Sequence, residues 1–579
     1  MPEKTLLRNG LVFDGTGAPA RQADVLVDGG TIHEVSARPL EVSDAQVIDA
    51  TGCWVTPGFL DTHTHYDAEV ILAPGLGESV RHGVTTVVLG SCSVTFVAAD
   101  AEDCSDMFTR VEAVPREVVL PLLRSAKHWN TPSGWRQAID RLPLGANVAS
   151  LLGHSDIRAH TMGLSRSVRK GESPTPDQLG SMERLLADAL DCGFVGLSTM
   201  GNPWDKLDGD REWSKPLPST FASGRERGRL LSMLRRRGRV HQAAPNLVTR
   251  LNAITLMLAS TGLLRRRLKT TLITLVDLKA DWWVRPAAAL LARLGNLLLR
   301  ADFRWQTPPC PFDLFFDGMD SVIFEEFPAG EAIRDLAHDL DRRNALIASD
   351  EFRRRFRRQM VRKNVPKVWH RDFGDARIIA CPDASLVGRT FADVAESRGQ
   401  DPVETFLDLM VQYDKSLRWH TCVANHRPSQ LGRLIRNRDA LMSFADSGAH
   451  LRNMAFYNFP IRMLKVVRDA EKAGHPIMTV ERAVHRLTGE LADWFGLDAG
   501  HLQPGKRADV VVLNPEQLTG EVDKHVEAPF PEIGMNRLVN RGQAVRAVII
   551  GGDVVFKDGS FAREFGQRRT GKFLECQLS

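Results

Sequence analysis

The alternation of apolar and polar positions divides the chain into three stretches. Residues 1 to about 56 read as small β structure. Val25-Leu26-Val27-Asp28, then Gly29-Gly30, then Thr31-Ile32-His33-Glu34-Val35 is a hairpin signal, since glycine supplies the positive φ of a tight turn. The far end repeats the style. Ala508-Asp509-Val510-Val511-Val512-Leu513 reads as a strand, and Ala547-Val548-Ile549-Ile550, Gly551-Gly552 and Asp553-Val554-Val555-Phe556 as a second hairpin. Neither terminal piece holds enough apolar residues to fold well alone. Together they predict one small β-sandwich built from both chain ends.

Between them, strands alternate with helices, which predicts a parallel α/β sheet. A short apolar strand runs into Pro57-Gly58-Phe59-Leu60-Asp61-Thr62-His63-Thr64-His65. Further strands are expected at 85–90, 147–152, 194–198, 239–241 and 271–278, a seventh at 418–423 and an eighth at 441–445. Thr175, Pro176 and Gln178 form a capping-box start for a helix that closes at Gly193. Residues from about 285 to 400 break this rhythm and read as an insertion, a candidate lid. The domain expectation is therefore 1–56 for one part of the β-sandwich, 57–500 for the central α/β domain with its insertion, and 501–579 for the other part.

Composition narrows the function classes. The chain has 579 residues, too many for a single compact core, with 43% apolar and 25% charged residues. Net charge is +4, from 75 basic and 71 acidic groups, too near balance to argue for a polyanion partner. The basic run Arg353-Arg354-Arg355-Phe356-Arg357-Arg358 reads first as a solvated helix face, with Phe352 and Phe356 turned inward, ahead of a nucleic-acid contact. No stretch of about 20 residues is free of charge, so no membrane span is expected. The N-terminus lacks a basic region followed by an apolar core, so no secretory signal is expected. Eight cysteines with no Cys-x-x-Cys pair do not make a disulfide framework and fit a reducing cytoplasm.

The chemistry starts at His63 and His65. Side chains two apart on a strand share a face, so both imidazoles can hold one metal ion. The stretch resembles the metal-binding signature of the amidohydrolase superfamily. Cys92, in Gly90-Ser91-Cys92-Ser93 at the end of the next strand, is similar to the cysteine turn of the N-acyl-D-amino-acid deacylase (D-aminoacylase) branch. Ser443-Phe444-Ala445-Asp446-Ser447-Gly448-Ala449-His450 resembles its strand-eight signature, and 501–512 its closing segment.

The resemblance implies a (β/α)8 barrel of the TIM type, with chemistry at the C-terminal ends of the strands. It implies one or two zinc ions held by His63, His65, Cys92, His241 and Asp446. Asp446 would take a proton from activated water and return it to the leaving amine. Strand six departs from the branch. Where the deacylases have Ser-His-His-Lys, this chain has Val276-Asp277-Leu278-Lys279, and Asp277 is the candidate replacement ligand. Lys279, His154, Arg158 and Arg452 are candidates for binding substrate, and His420, His426 and His450 for a missing ligand or an oxyanion contact.

The expected activity is hydrolysis of a linear, non-peptide C–N amide in a small molecule that also carries a carboxylate, with N-acyl-D-amino-acid deacylation first. Three other readings stay open: a hydantoinase-like cyclic-amide hydrolase, a metal-free barrel scaffold, and a nucleic-acid binder using the arginine runs. Cys92 argues against the cyclic-amide enzymes, which typically use lysine there.

Overall fold

The computed structural model describes residues 4–249, 251–362 and 365–578. Among them, eight strands pair in parallel and in chain order: β1 (Phe59–Asp61), β2 (Val84–Leu89), β3 (Asn147–Gly153), β4 (Gly196–Met200), β5 (Val240–Ala244), β6 (Lys269–Leu272), β7 (Asp302–Gln306) and β8 (Ala440–Leu441). β2, β3, β4 and β5 are buried at every position, the pattern of parallel strands covered on both faces. The fold is mixed α/β and the sheet curls. The segments that follow β1 and β8 meet. Thr62 N donates to Ser443 Oγ at 2.6 Å, Asp446 N to His63 O at 3.1 Å and His65 N to Ser447 O at 2.8 Å.

A nine-stranded sheet draws on both chain ends, with Trp54–Pro57 pairing antiparallel with Val510–Leu513 at the seam. Leu7, Val25, Ile32, Val510 and Ile549 pack in one of its apolar clusters. Asp509 ties this sheet to the parallel one. Its carboxylate accepts from Asn147 Nδ2 at 2.7 Å and Gly551 N at 2.9 Å, and its carbonyl accepts from Gly58 N at 2.9 Å.

Three helices matter below. α1 (Ala101–Glu112) starts at Asp100, whose side chain accepts from Asp103 N. α2 (Leu251–Ser260) follows β5 and α3 (Val284–Leu298) follows β6. The helix expected after Thr175 spans Pro176–Asp191 and has both capping-box hydrogen bonds.

The seventh strand is not where the sequence reading put it. Asp302–Gln306 fills that place, between β6 and β8. Arg418–Ala424 does form a strand, but it pairs antiparallel with Phe312–Asp317 and Arg377–Ala380 in a separate small sheet. The cause is Trp419. It stacks on Phe316 with centroids 4.1 Å apart and is fully buried in a second apolar cluster with Trp369, Phe391 and Phe406. The arginine-rich stretch is the helix Asp350–Met360, whose Phe352 and Phe356 face that cluster while Arg353 and Arg357 pair with Glu404.

Because Trp419 centres this second core, Trp419→Ala is expected to cost about 3–5 kcal/mol, read by urea unfolding. A loss below about 1 kcal/mol would show that the cluster does not hold the segment.

Candidate metal centre

The first two candidate ligands leave β1 on one side of the chain. Thr64 between them points the other way and donates its hydroxyl to Val88 O at 2.7 Å. Each ring is held from behind. His63 Nδ1 lies 2.8 Å from Gln306 Oε1 at the end of β7. His65 Nδ1 lies 3.0 Å from Glu112 Oε1 at the end of α1. Both Nε2 atoms then turn inward, 3.3 and 3.2 Å from the same oxygen, Asp446 Oδ1. Cys92 Sγ is 3.5 Å from His63 Nε2, and the ligand atoms of His63, His65 and Cys92 all lie within 4.8 Å of one another.

These spacings test the fit to zinc. Tetrahedral ligands at about 2.0–2.3 Å from one ion stand roughly 3.3–3.7 Å apart. The nitrogen, sulfur and oxygen donors are buried, close to that spacing, and of the types zinc takes. The residues present fit the ion.

The backbone is forced here. Cys92, Ser93, Asp446 and His450 have φ of 53°, 71°, 55° and 49°, a region that non-glycine residues seldom enter and that clusters at functional sites. The Cys92 turn holds because Cys92 N donates to Gln242 Oε1 at 3.0 Å and Ser93 N to Ser198 Oγ at 3.0 Å. Gly90 opens the turn at φ 75°, and a Cβ there would stand 2.4 Å from Leu151 O. Gly448 closes the Asp446 loop at φ 88°, where a Cβ would stand 2.7 Å from His65 O.

Charge follows geometry. Burial alone would lower the pKa of His63, but the negative charges of Cys92 and Asp446 outweigh it and lift the imidazole to about 10. For His65, burial is outweighed by Glu112 and Asp446, and its pKa also rises. Asp446 goes the other way. Burial would raise it, yet hydrogen bonds from both imidazoles hold it well below the usual carboxylate range. Asp205 is pushed up to about 7 by burial, opposed by the Asn202 amide and aided by the charges of Glu112 and Asp446.

The remaining sequence candidates sort differently. His241 is buried with Nε2 2.9 Å from Thr199 Oγ1, and its Nδ1 has no hydrogen-bond partner among the described residues. The structure does not bring Asp277 to the cluster. Arg427 holds both its carboxylate oxygens, at 2.8 and 2.5 Å, and Arg285 Nε is 3.4 Å away. Its backbone is clasped by Asn425. His426 lies by the same charged group, and His420 Nε2 is 3.0 Å from Asp313 Oδ1.

The candidate substrate-binding cations all have acidic partners. Lys279 Nζ is 2.7 Å from Asp375 Oδ1, and Arg452 Nε is 2.6 Å from Asp317 Oδ2. His154 and Arg158 both engage Glu226, out of contact with solvent. His450 does stand near the centre, with Nε2 3.8 Å from Asp446 Oδ2.

Glu112, Gln306 and Gln242 were missed by the sequence reading. Glu112 sits between Val111 and Ala113-Val114, and a carboxylate among apolar neighbours was the one available signal.

No family model matches the chain. A protein of Mycobacterium tuberculosis (strain ATCC 25618 / H37Rv) described only as uncharacterized is 48% identical over 585 residues, spanning 99% of this chain and 95% of that one. An N-acyl-D-glutamate deacylase of Alcaligenes xylosoxydans xylosoxydans is 32% identical over 197 residues, 34% of this chain and 36% of that protein. The solved N-acyl-D-glutamate deacylase of Bordetella bronchiseptica, complexed with zinc and a phosphonate inhibitor, superposes with a TM-score of 0.60 at 22% identity, over 99% of each chain.

Three outcomes follow from the geometry. Glu112→Gln should weaken zinc binding about 10–100-fold in a chelator competition, since the carboxylate behind His65 fixes its ring. Metal ligands must shed their protons, and His63 keeps its own up to about pH 10 in the metal-free chain. Zinc affinity of the metal-free protein should therefore rise from pH 6 to 9 with proton release, seen by calorimetry in buffers of different ionisation enthalpy; a flat profile would contradict the assignment. Asp277→Ala should leave zinc content unchanged yet destabilise the protein by about 1–3 kcal/mol in urea, because it removes the hydrogen-bond acceptor of Arg427.

Proposed function

We propose that the chain belongs to the N-acyl-D-amino-acid deacylase branch of the amidohydrolase superfamily and is a zinc-dependent hydrolase of linear, non-peptide C–N amide bonds, a reading supported by its relatives and by the fold. The observation that carries this reading is the cluster of His63, His65 and Cys92, whose ligand atoms lie within 4.8 Å of one another, with Asp446 Oδ1 3.3 and 3.2 Å from the two Nε2 atoms. We read the curled parallel sheet as a (β/α)8 barrel and the nine-stranded sheet as the β-sandwich part, with 312–424 inserted between β7 and β8.

Zinc, when bound, supplies Lewis-acid chemistry, polarising a carbonyl and lowering the pKa of water to about 7. The chain supplies the rest. Gln306 and Glu112 aim the two imidazoles, and burial keeps bulk water from competing. Asp446 accepts a proton at its carboxylate from the attacking water and returns it to the leaving nitrogen, which departs only when protonated. His450 stands nearby, with Nε2 3.8 Å from Asp446 Oδ2.

The names of the relatives supply the substrate class, an N-acyl-D-amino acid. We assign its carboxylate to Lys279. Of the four candidate cations, His154 and Arg158 are locked in the core and Arg452 is clamped by Asp317 and Glu527. Lys279 is as exposed as Arg452 but has the single acidic partner Asp375, which belongs to the inserted segment. We place the protein in the cytoplasm, a reading supported by eight unpaired cysteines.

The test is hydrolysis of N-acetyl-D-glutamate and other N-acyl-D-amino acids beside their L forms and hydantoin, using zinc-replete protein. Turnover of the D-series is expected. Asp446→Asn should lower kcat about 10²–10⁴-fold with zinc retained. Less than about a tenth of an equivalent of zinc, or near wild-type turnover by that variant, would overturn the reading.

A further inference from the structure

Large apolar side chains are exposed unevenly over this protein. Thirteen of the eighteen found exposed among the described residues fall between Leu247 and Leu298. On α3, Leu290, Leu294, Leu297 and Leu298 are 56, 44, 65 and 61% exposed, at the i, i+4, i+7, i+8 spacing of one helix face. On α2, Leu251, Ile254 and Leu258 form a second outward row.

The two rows lie side by side. Gly295 of α3 packs on Met257 of α2, and the Thr261 hydroxyl donates to Leu299 O at 2.8 Å. Trp282 and the fully exposed Leu264 extend the face at its ends. The exposed apolar area is on the order of 1,000 Å², beyond the roughly 300–600 Å² of the largest patch on a typical monomer.

The rim of this face is mostly basic, with Arg267 3.8 Å from Asp302 Oδ2. Arg265, Arg267, Arg293 and Arg300 are exposed around it. The only acids between residues 245 and 301 are Asp277, buried under Arg427, and Asp281. We propose that this face docks on the surface of an anionic lipid bilayer, leucines in the acyl boundary and arginines at the headgroups.

The chemistry selects this occupant. A two-fold pairing of the face with a second copy would set one basic rim against another. Leucine rows with a basic border and a tryptophan at the edge are what an interfacial helix presents to anionic lipid. α3 has 15 residues, short of the roughly 20 a span needs, so it lies on the bilayer and does not cross it. The face begins at the rim of the candidate site, since α2 follows β5 and Trp282 follows Lys279. The proposal stands independently of the hydrolase reading.

The test is flotation of the full-length protein with vesicles at about 0.15 M salt, where surface charge is screened beyond about 8 Å. Most of the protein is expected to float with vesicles of phosphatidylglycerol and phosphatidylcholine, and little with phosphatidylcholine alone. L294E/L298E and, separately, R265E/R267E should each cut the bound fraction at least tenfold. All four side chains are exposed, and unchanged thermal unfolding would show that the variants fold. Absence of flotation with anionic vesicles, or equal binding to neutral ones, would overturn the proposal. So would a wild-type dimer in light scattering that L294E/L298E converts to monomer.

Discussion

The structure depends on a seam. Backbone hydrogen bonds join the end of β1 to the loop after β8, across some of the longest sequence separations in the chain. His65 N to Ser447 O and Asp446 N to His63 O fix the two histidines opposite the aspartate. Neither segment can move without the other. The cost of bringing such distant residues together is met by the buried sheet, whose strands lie side by side in chain order. The position of the candidate metal centre is therefore set by the meeting of these two segments.

Around that seam the protein spends backbone strain and second-layer contacts. Four site residues sit in left-handed conformations, with backbone N–H groups tied to Gln242, Ser198, His63 and Glu112. Gln306 and Glu112 bind the outer nitrogens of the two imidazoles and so choose which nitrogens face the centre. The carboxylate behind His65 makes that ring more basic, and the neutral amide behind His63 orients it without adding charge. The two ligands are thus inequivalent although they stand two residues apart on one strand.

The segment inserted between β7 and β8 does two jobs at the rim. Its aromatic core, around Trp369, Phe406 and Trp419, makes it a unit with its own apolar support. It reaches back through Asp375 to Lys279, and the turn that follows it reaches through Asn425 and Arg427 to Asp277. At strand six the deacylases' histidine motif gives way to an aspartate clamped in an ion pair. A carboxylate whose oxygens both face a guanidinium is an anchor between two parts of the fold.

The sequence by itself determined the local chemistry. His63 and His65 two apart, the Gly90-Ser91-Cys92 turn, the Asp446-Ser447-Gly448 loop and the capped helix Pro176–Asp191 all follow from neighbours within a few residues, where periodicity and turn geometry act. Tertiary structure decided the rest. Asp302–Gln306 entered the parallel sheet, and Arg418–Ala424 left it, because Trp419 found its stacking partner 103 residues earlier at Phe316. Glu112 and Gln306 became supports of the centre only when a helix end and a strand end arrived behind the imidazoles. Asp277 found Arg427, 150 residues away, and so became an anchor. A partner at that distance leaves no periodic trace in the chain, because burial and pairing are settled by which surfaces meet.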